Sequence, residues 1–276
     1  MSSDRVVSVA PGVQAPVELL EREREIGALR AAAADAAAGR ARLVVVEGPA
    51  GIGKSRLLAA LREEVLGRGL RVLWARGSEL EREFPFGVVR QLFEPALTDT
   101  ELRARWLSGA AAPAGAVFSP PGDGDGRDAS FAALHGLFWL TANAASEGPV
   151  AVVVDDLHWV DAPSLRYLAY LTGRLEGLPV LCAVGLRSGE PGSDAALVAE
   201  IVQEPGATLL HPGPLSDEAA RTLVAARLGG EPDPAFLAAC HGATGGNPLL
   251  LGQLLRSLGD DAVTPDAASA GLVREV

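Results

Sequence analysis

Cysteine is scarce in this chain, with two in 276 residues, Cys182 and Cys240. They lie far apart, and neither belongs to a CxxC pair or a Cys/His ligand spacing. A disulfide framework and a structural zinc site are therefore not expected. Cys182 sits in an apolar run and reads as a small core residue. Positive charge is also short. Lysine and arginine total 24 against 35 aspartates and glutamates, a net charge of −11. Such a surface repels nucleic acid, so no direct nucleic-acid binding is expected of this segment. Long apolar runs are missing too, although 48% of the residues are hydrophobic. No stretch approaches the roughly 20 residues needed to span a bilayer, and the apolar run near Met1 is too short for a signal peptide. The expectation is a soluble, reduced, cytoplasmic protein without membrane contact. No internal repeat is evident.

What is present is a phosphate-binding sequence. The β-branched run Leu43–Glu47 enters Gly48-Pro49-Ala50-Gly51-Ile52-Gly53-Lys54-Ser55, and Arg56-Leu57-Leu58 then opens a helical pattern. A buried strand delivers the chain to a tight loop. Its glycines let successive N–H groups turn around a phosphate, and the following helix aims its positive dipole end at the same anion. Lys54 is expected to reach the β- and γ-phosphates, and the Ser55 hydroxyl to ligate Mg²⁺. A Gly-rich turn with no such task is the competing reading.

Along the chain, residues 1–18 lack periodicity and read as a flexible arm. A helix is expected from Leu19 to Gly39, and strands at Leu43–Glu47, Leu70–Ala75, Pro149–Asp155, Leu178–Leu186 and Thr208–His211 alternate with helices. Unbroken apolar strands of this kind belong to a parallel sheet covered on both faces. Residues 19–213 are thus read as an α/β P-loop nucleotide-binding domain. Residues 109–129, rich in Ala, Gly, Pro and Asp, are expected to be a mobile insertion. Their Asp123-Gly-Asp125-Gly-Arg-Asp128 resembles the start of a calcium loop, but an EF-hand would need Gly at Asp128 and Glu at Leu134. From Leu215 the strands stop, and 214–260 is read as a small all-α lid. Residues 261–276 are read as a tail or a linker to further domains.

A phosphate loop alone implies binding, not turnover. The strand ending in Asp155-Asp156 supplies the second half. Asp155 is placed to hold Mg²⁺ beside Ser55. Asp156, projecting differently, can polarise a water for attack on the γ-phosphate; a polar corner at the strand exit is the alternative. Arg187 ends the Leu178–Leu186 strand, where it either senses the γ-phosphate or is a plain surface arginine. His158 and His241 have no partner at ligand spacing. No Ser/His/Asp hydrolase constellation survives: Gly185-Leu-Arg-Ser188-Gly189 is one residue out of step with a nucleophile elbow.

Gly48–Ser55, the run Val150–Asp156 continuing into Leu-His-Trp159, and Gly245-Gly246-Asn247-Pro248 together resemble the signal-transduction ATPases with numerous domains. Within that group the chain is most similar to the N-terminal ATPase module of large ATP-binding LuxR-type transcriptional regulators. Leu19–Glu25 and Gly77–Phe93 add to the match, which covers about residues 17–258. The resemblance implies that Arg22 and Glu23 fall on a Gly-Arg-Glu box near adenine, with Glu21 in place of its glycine. It puts Arg187 at the sensor-one position and Asn247-Pro248 on a G-x-P motif whose proline packs on the nucleotide. It also implies C-terminal sensor and DNA-binding domains, or other subunits, as partners. The function expected is an ATP/ADP- and Mg²⁺-dependent, slowly hydrolysing regulatory switch. A stand-alone P-loop kinase or transferase and a remodelling ATPase ring are the alternatives.

Overall fold

The computed structural model describes residues 19–119, 131–190, 192, 194–261 and 263–274. The expected arm at 1–18 and the acidic stretch of the expected insertion lie outside these residues. Five strands form one parallel sheet: β1 (Arg42–Gly48), β2 (Arg71–Arg76), β3 (Val150–Asp155), β4 (Val180–Arg187) and β5 (Thr208–Leu210), in the order β2-β3-β4-β1-β5. The register brings the carboxyl ends to one edge, with Gly48 beside Arg187 and Arg76 beside Asp155. That edge is where a parallel sheet gathers its chemistry.

Strand side chains alternate between two apolar layers, as the period of two requires. Val44, Val46, Ala151, Val153, Leu181 and Ala183 face α1 (Glu23–Ala37) and α2 (Lys54–Gly67). Val45, Val152, Val154, Cys182 and Val184 face the opposite layer. That layer comprises α3 (Gly87–Leu97), α4 (Thr100–Trp106), α5 (Phe131–Ser146), α6 (Ala162–Thr172) and α7 (Ala195–Val202). All six β3 residues are buried, which is why that strand reads as continuous rather than alternating hydrophobicity.

The chain after β5 builds a separate core. Helices α8 (Asp217–Leu228), α9 (Pro234–Thr244) and α10 (Pro248–Asp260) pack through Val224, Phe236, Cys240, Leu251, Leu255 and Leu258. Val273, from a closing 3-10 turn, is buried in the same cluster. Among the described residues no helix is long and apolar enough to cross a membrane.

Three local findings go beyond the sequence expectation. The first helix starts at Glu23 rather than Leu19, because Glu21 adopts a left-handed φ of 56° that a continuing helix cannot contain. Gly109–Phe118, expected to be part of a mobile insertion, forms 3-10 turns instead. Its small residues allow a close approach to α5. Ala111 and Ala114 are fully buried, and a Cβ on Gly136 would lie only 2.7 Å from Ala114 N. Asp161 caps two helices, α6 and α3. It accepts from Ser164 N at 2.9 Å, and also from Phe86 N at 2.8 Å and Val88 N at 3.2 Å at the start of α3.

Candidate functional site

The loop between β1 and α2 can be followed carbonyl by carbonyl. Lys54 Nζ donates to the carbonyls of Gly48 and Pro49, each at 2.9 Å. The carbonyl of Ala50 accepts from Asn247 Nδ2 at 2.8 Å, that of Gly51 from Leu249 N at 3.3 Å, and that of Ile52 from Arg22 Nη2 at 3.3 Å. Gly51 and Gly53 hold φ values of 77° and 107°, which side chains with a Cβ rarely adopt. Lys54 is only 5% exposed, and burial depresses its pKa while the nearby Asp156 carboxylate opposes that shift. Lys54 is also the only lysine in the chain. Ser55 and Arg56 are exposed at the head of α2.

Asp155 lies next to Ser55 at the end of β3. It is 2% exposed. Burial pushes its carboxyl pKa up and the Asp156 charge adds to this, while the Ser55 hydroxyl and the Asp156 N–H, at 3.0 Å, stabilise the ionised form. Gly185 on β4 makes room for this carboxylate, since a Cβ there would lie 2.7 Å from Asp155 Oδ1. A hydroxyl and a buried carboxylate are the oxygen donors a hard cation takes, so the pair fits Mg²⁺. Among the described residues no cluster of three or more His, Cys, Asp or Glu side chains could hold a metal alone. Two protein oxygens completed by phosphate and water suit Mg²⁺ better than a closed protein cage does.

Asp156 is set apart from Asp155 by its backbone, with φ 52° and ψ 51°. Its carboxylate accepts from Arg76 at 2.9 Å and 2.8 Å and faces Arg187 at 3.8 Å. Arg187 also donates to Glu190 at 3.0 Å, and the fully buried His158 lies 3.4 Å from the same carboxylate group. Arg187 thus stands at the expected edge, bonded rather than merely solvated. Arg76 and Glu190 were not foreseen from the sequence. No motif marks either; the parallel register beside Asp155 delivers Arg76, and a three-residue turn beyond Arg187 delivers Glu190.

The C-terminal helical segment meets the same loop. Asn247 caps α10, its Oδ1 accepting from Leu249 N at 3.0 Å and Leu250 N at 3.3 Å, while its amide reaches Ala50. Arg22, 4% exposed, donates to Gly213 O at 2.6 Å as well as to Ile52. Glu21 occupies a left-handed position, which accounts for a glycine there in the resembling family. In this chain its carboxylate accepts from the N–H and the hydroxyl of Ser216, the residue before α8. A cavity of about 60 Å³ is lined by Leu19, Ile52, Leu215, Leu223, Pro248 and Leu255, with Arg22, Arg56 and Arg227 among its polar neighbours. The structure brings Pro248 to that cavity. Glu23 does not line it, lying exposed on the first turn of α1.

The sequence profile described as the AAA ATPase domain matches residues 18–184, more than half of the chain, and the chain belongs to that family. No curated protein matches it. Among solved structures it is similar to the ORC1 protein of Aeropyrum pernix in complex with DNA, with TM-score 0.54 and 18% identity over 94% of this chain. It is similar to CDC6P of Pyrobaculum aerophilum, with TM-score 0.58 and 14% identity over 92%. It is also similar to a signal transduction ATPase with numerous domains and a tetratricopeptide repeat sensor from Pyrococcus horikoshii, with TM-score 0.53 and 20% identity over 87%. The chain spans 66%, 64% and 32% of those three proteins, respectively. At these identities the likeness speaks for the fold.

Proposed function

We propose that this AAA ATPase domain is an ATP- and Mg²⁺-dependent switch that hydrolyses ATP slowly and regulates transcription as part of a LuxR-type regulator. The observation that carries the reading is the direct bonding of the lid to the phosphate loop through Asn247 and Leu249. A ligand that changes the loop changes what the lid rests on. A ligand shifts such an equilibrium only through its unequal affinity for the two arrangements, and the shared bonds supply the means.

In this reading Gly48–Ser55 cradles the phosphates and Lys54 gives up its two carbonyl partners to bind them. Ser55 and Asp155 would hold Mg²⁺, which neutralises charge on the phosphates when bound. Asp156 orients the attacking water once Arg76 yields its carboxylate. Arg187 reports the γ-phosphate by exchanging Asp156 and Glu190 for it. Pro248, Leu19 and Ile52 enclose the base, and the chain around Gly213 is the hinge. Sensor and DNA-binding domains, or other subunits, receive the output. The likeness to a sensor-bearing signal transduction ATPase supports that arrangement.

Because Lys54 is the sole lysine, an amine-acylating reagent followed by mass spectrometry reports on the site directly. ATP with Mg²⁺ should slow acylation of Lys54 and leave that of the α-amino group unchanged. Lys54→Ala should remove the thermal shift that ATP gives the wild type, about 2.7 kcal/mol of stabilisation at 100 times the dissociation constant. Acylation of Lys54 at the same rate with and without ATP would defeat the assignment.

A further inference from the structure

Three consecutive carbonyls of the phosphate loop, those of Ala50, Gly51 and Ile52, are each taken by a group from outside the loop. The donors come from both ends of the chain: Asn247 and Leu249 from the lid, Arg22 from the segment before α1. No cis peptide occurs among the described residues. In a trans peptide the C=O and the following N–H point in opposite directions. Pulling the Ala50 carbonyl toward the lid and the Ile52 carbonyl toward Arg22 therefore turns the N–H groups of Gly51 and Gly53 the other way. Both residues sit at positive φ, where adjoining peptides can flip at low steric cost. A phosphate is bound by such inward N–H groups, and the loop needs them aligned before the anion arrives.

We infer that Asn247 and Arg22 are positioning residues for the phosphate nest, holding the Ala50 and Ile52 carbonyls outward so that the Gly51 and Gly53 amides face the phosphates. The inference rests on the proposed nucleotide binding, and it changes the part these two residues play. They act on the loop's peptides rather than on the base or sugar. The steric fit agrees: a Cβ on Gly51 would lie 2.7 Å from Asn247 Oδ1 and 2.8 Å from Leu249 Cβ, so the lid is pressed against the loop at the peptide it orients. Arg22 extends the arrangement to the hinge, since its guanidinium holds Gly213 O and Ile52 O together. Lid position and phosphate affinity are then coupled through these two peptide groups, and the coupling is reciprocal.

Asn247→Ser separates the two jobs of this side chain. Serine still caps α10, being among the preferred N-cap residues, but it is too short to reach Ala50 O and adds no charge. Calorimetry with Mg²⁺–pyrophosphate and with Mg²⁺–ADP, together with amide NMR of the glycine region, makes the test. The dissociation constants of both ligands should rise by the same factor, about fivefold for one lost hydrogen bond. The Gly51 amide signal should move in the unliganded protein. Arg22→Met should weaken both ligands likewise and move the Gly53 signal; if that variant does not fold, Asn247→Ser decides. Weaker ADP with unchanged pyrophosphate would place Asn247 at the base and overturn the inference, as would unchanged affinity for both. Wild-type protein that binds neither ligand would instead refute the nucleotide reading, and this inference with it.

Discussion

Asp155→Asn should make the unliganded protein more stable at neutral pH. The wild-type carboxylate is 2% exposed, and burial together with the neighbouring Asp156 charge raises its pKa. The pH dependence follows by linkage. Below the ordinary carboxylate pKa both the folded and unfolded states are protonated, and no penalty exists. As pH rises from that value to the raised folded value, the unfolded chain has released a proton that the folded one retains, so stability falls. Above the folded pKa the full penalty persists. Asparagine keeps the shape and an acceptor for the Ser55 hydroxyl and the Asp156 N–H, and it carries no charge to desolvate. An imperfectly compensated buried charge costs on the order of 1–3 kcal/mol. The low end of that range, about 1 kcal/mol, corresponds to roughly 2–4 °C in Tm for a protein of this size. Thermal unfolding of both proteins from pH 4 to pH 8 makes the test. The variant should melt higher at pH 7 and 8, with the gap closing toward pH 4; groups common to both proteins cancel in the difference. With ATP and Mg²⁺ the order should reverse, since on the proposed reading only the wild type would keep a carboxylate for the cation. A variant that melts lower at pH 7, or a gap that widens in acid, would refute the reasoning.

Asp156→Asn should bind ATP with wild-type affinity and release phosphate about a hundredfold more slowly, the usual range for a lost general base; an unchanged rate would make Asp156 a structural corner paired with Arg76. Gly51→Ala should destabilise by about 2 kcal/mol or more, because the position is left-handed and the new Cβ meets Asn247 and Leu249. Urea unfolding measures that loss, and faster proteolysis around Gly213 should accompany it as the lid is pushed off the loop.

The strands and the phosphate loop were legible because both are local signals. A β-branched run followed by Gly48–Ser55 needs no distant partner to be read, and β3 announces its burial by having no polar residue before Asp155. Asp161 ahead of Ala162-Pro163 is an N-cap signal of the same local kind. Its second task, holding the start of α3, was not legible, because that contact spans 75 residues. Arg76 escaped notice for a related cause: nothing near it in sequence is chemical, and only the pairing of β2 with β3 brings it to Asp156. The Ala- and Pro-rich stretch before Phe118 misled because small residues read as loop, whereas here their smallness lets the backbone press against Gly136. Glu21 shows the limit most clearly. A helical pattern ran through it, and only its left-handed backbone, bridged to Ser216, reveals why the helix begins later.

The central claim, a nucleotide-driven switch between lid and sheet, is tested most directly by distance measurement. Both native cysteines are buried, so spin labels can be directed to cysteines introduced at Glu63 on α2 and Arg256 on α10, both exposed. Pulsed electron resonance of the pair should give distance distributions that differ among the empty, ADP-bound and ATP–Mg²⁺-bound protein, with the difference abolished by Lys54→Ala. Identical distributions in all three states, under conditions where calorimetry shows nucleotide bound, would contradict the account.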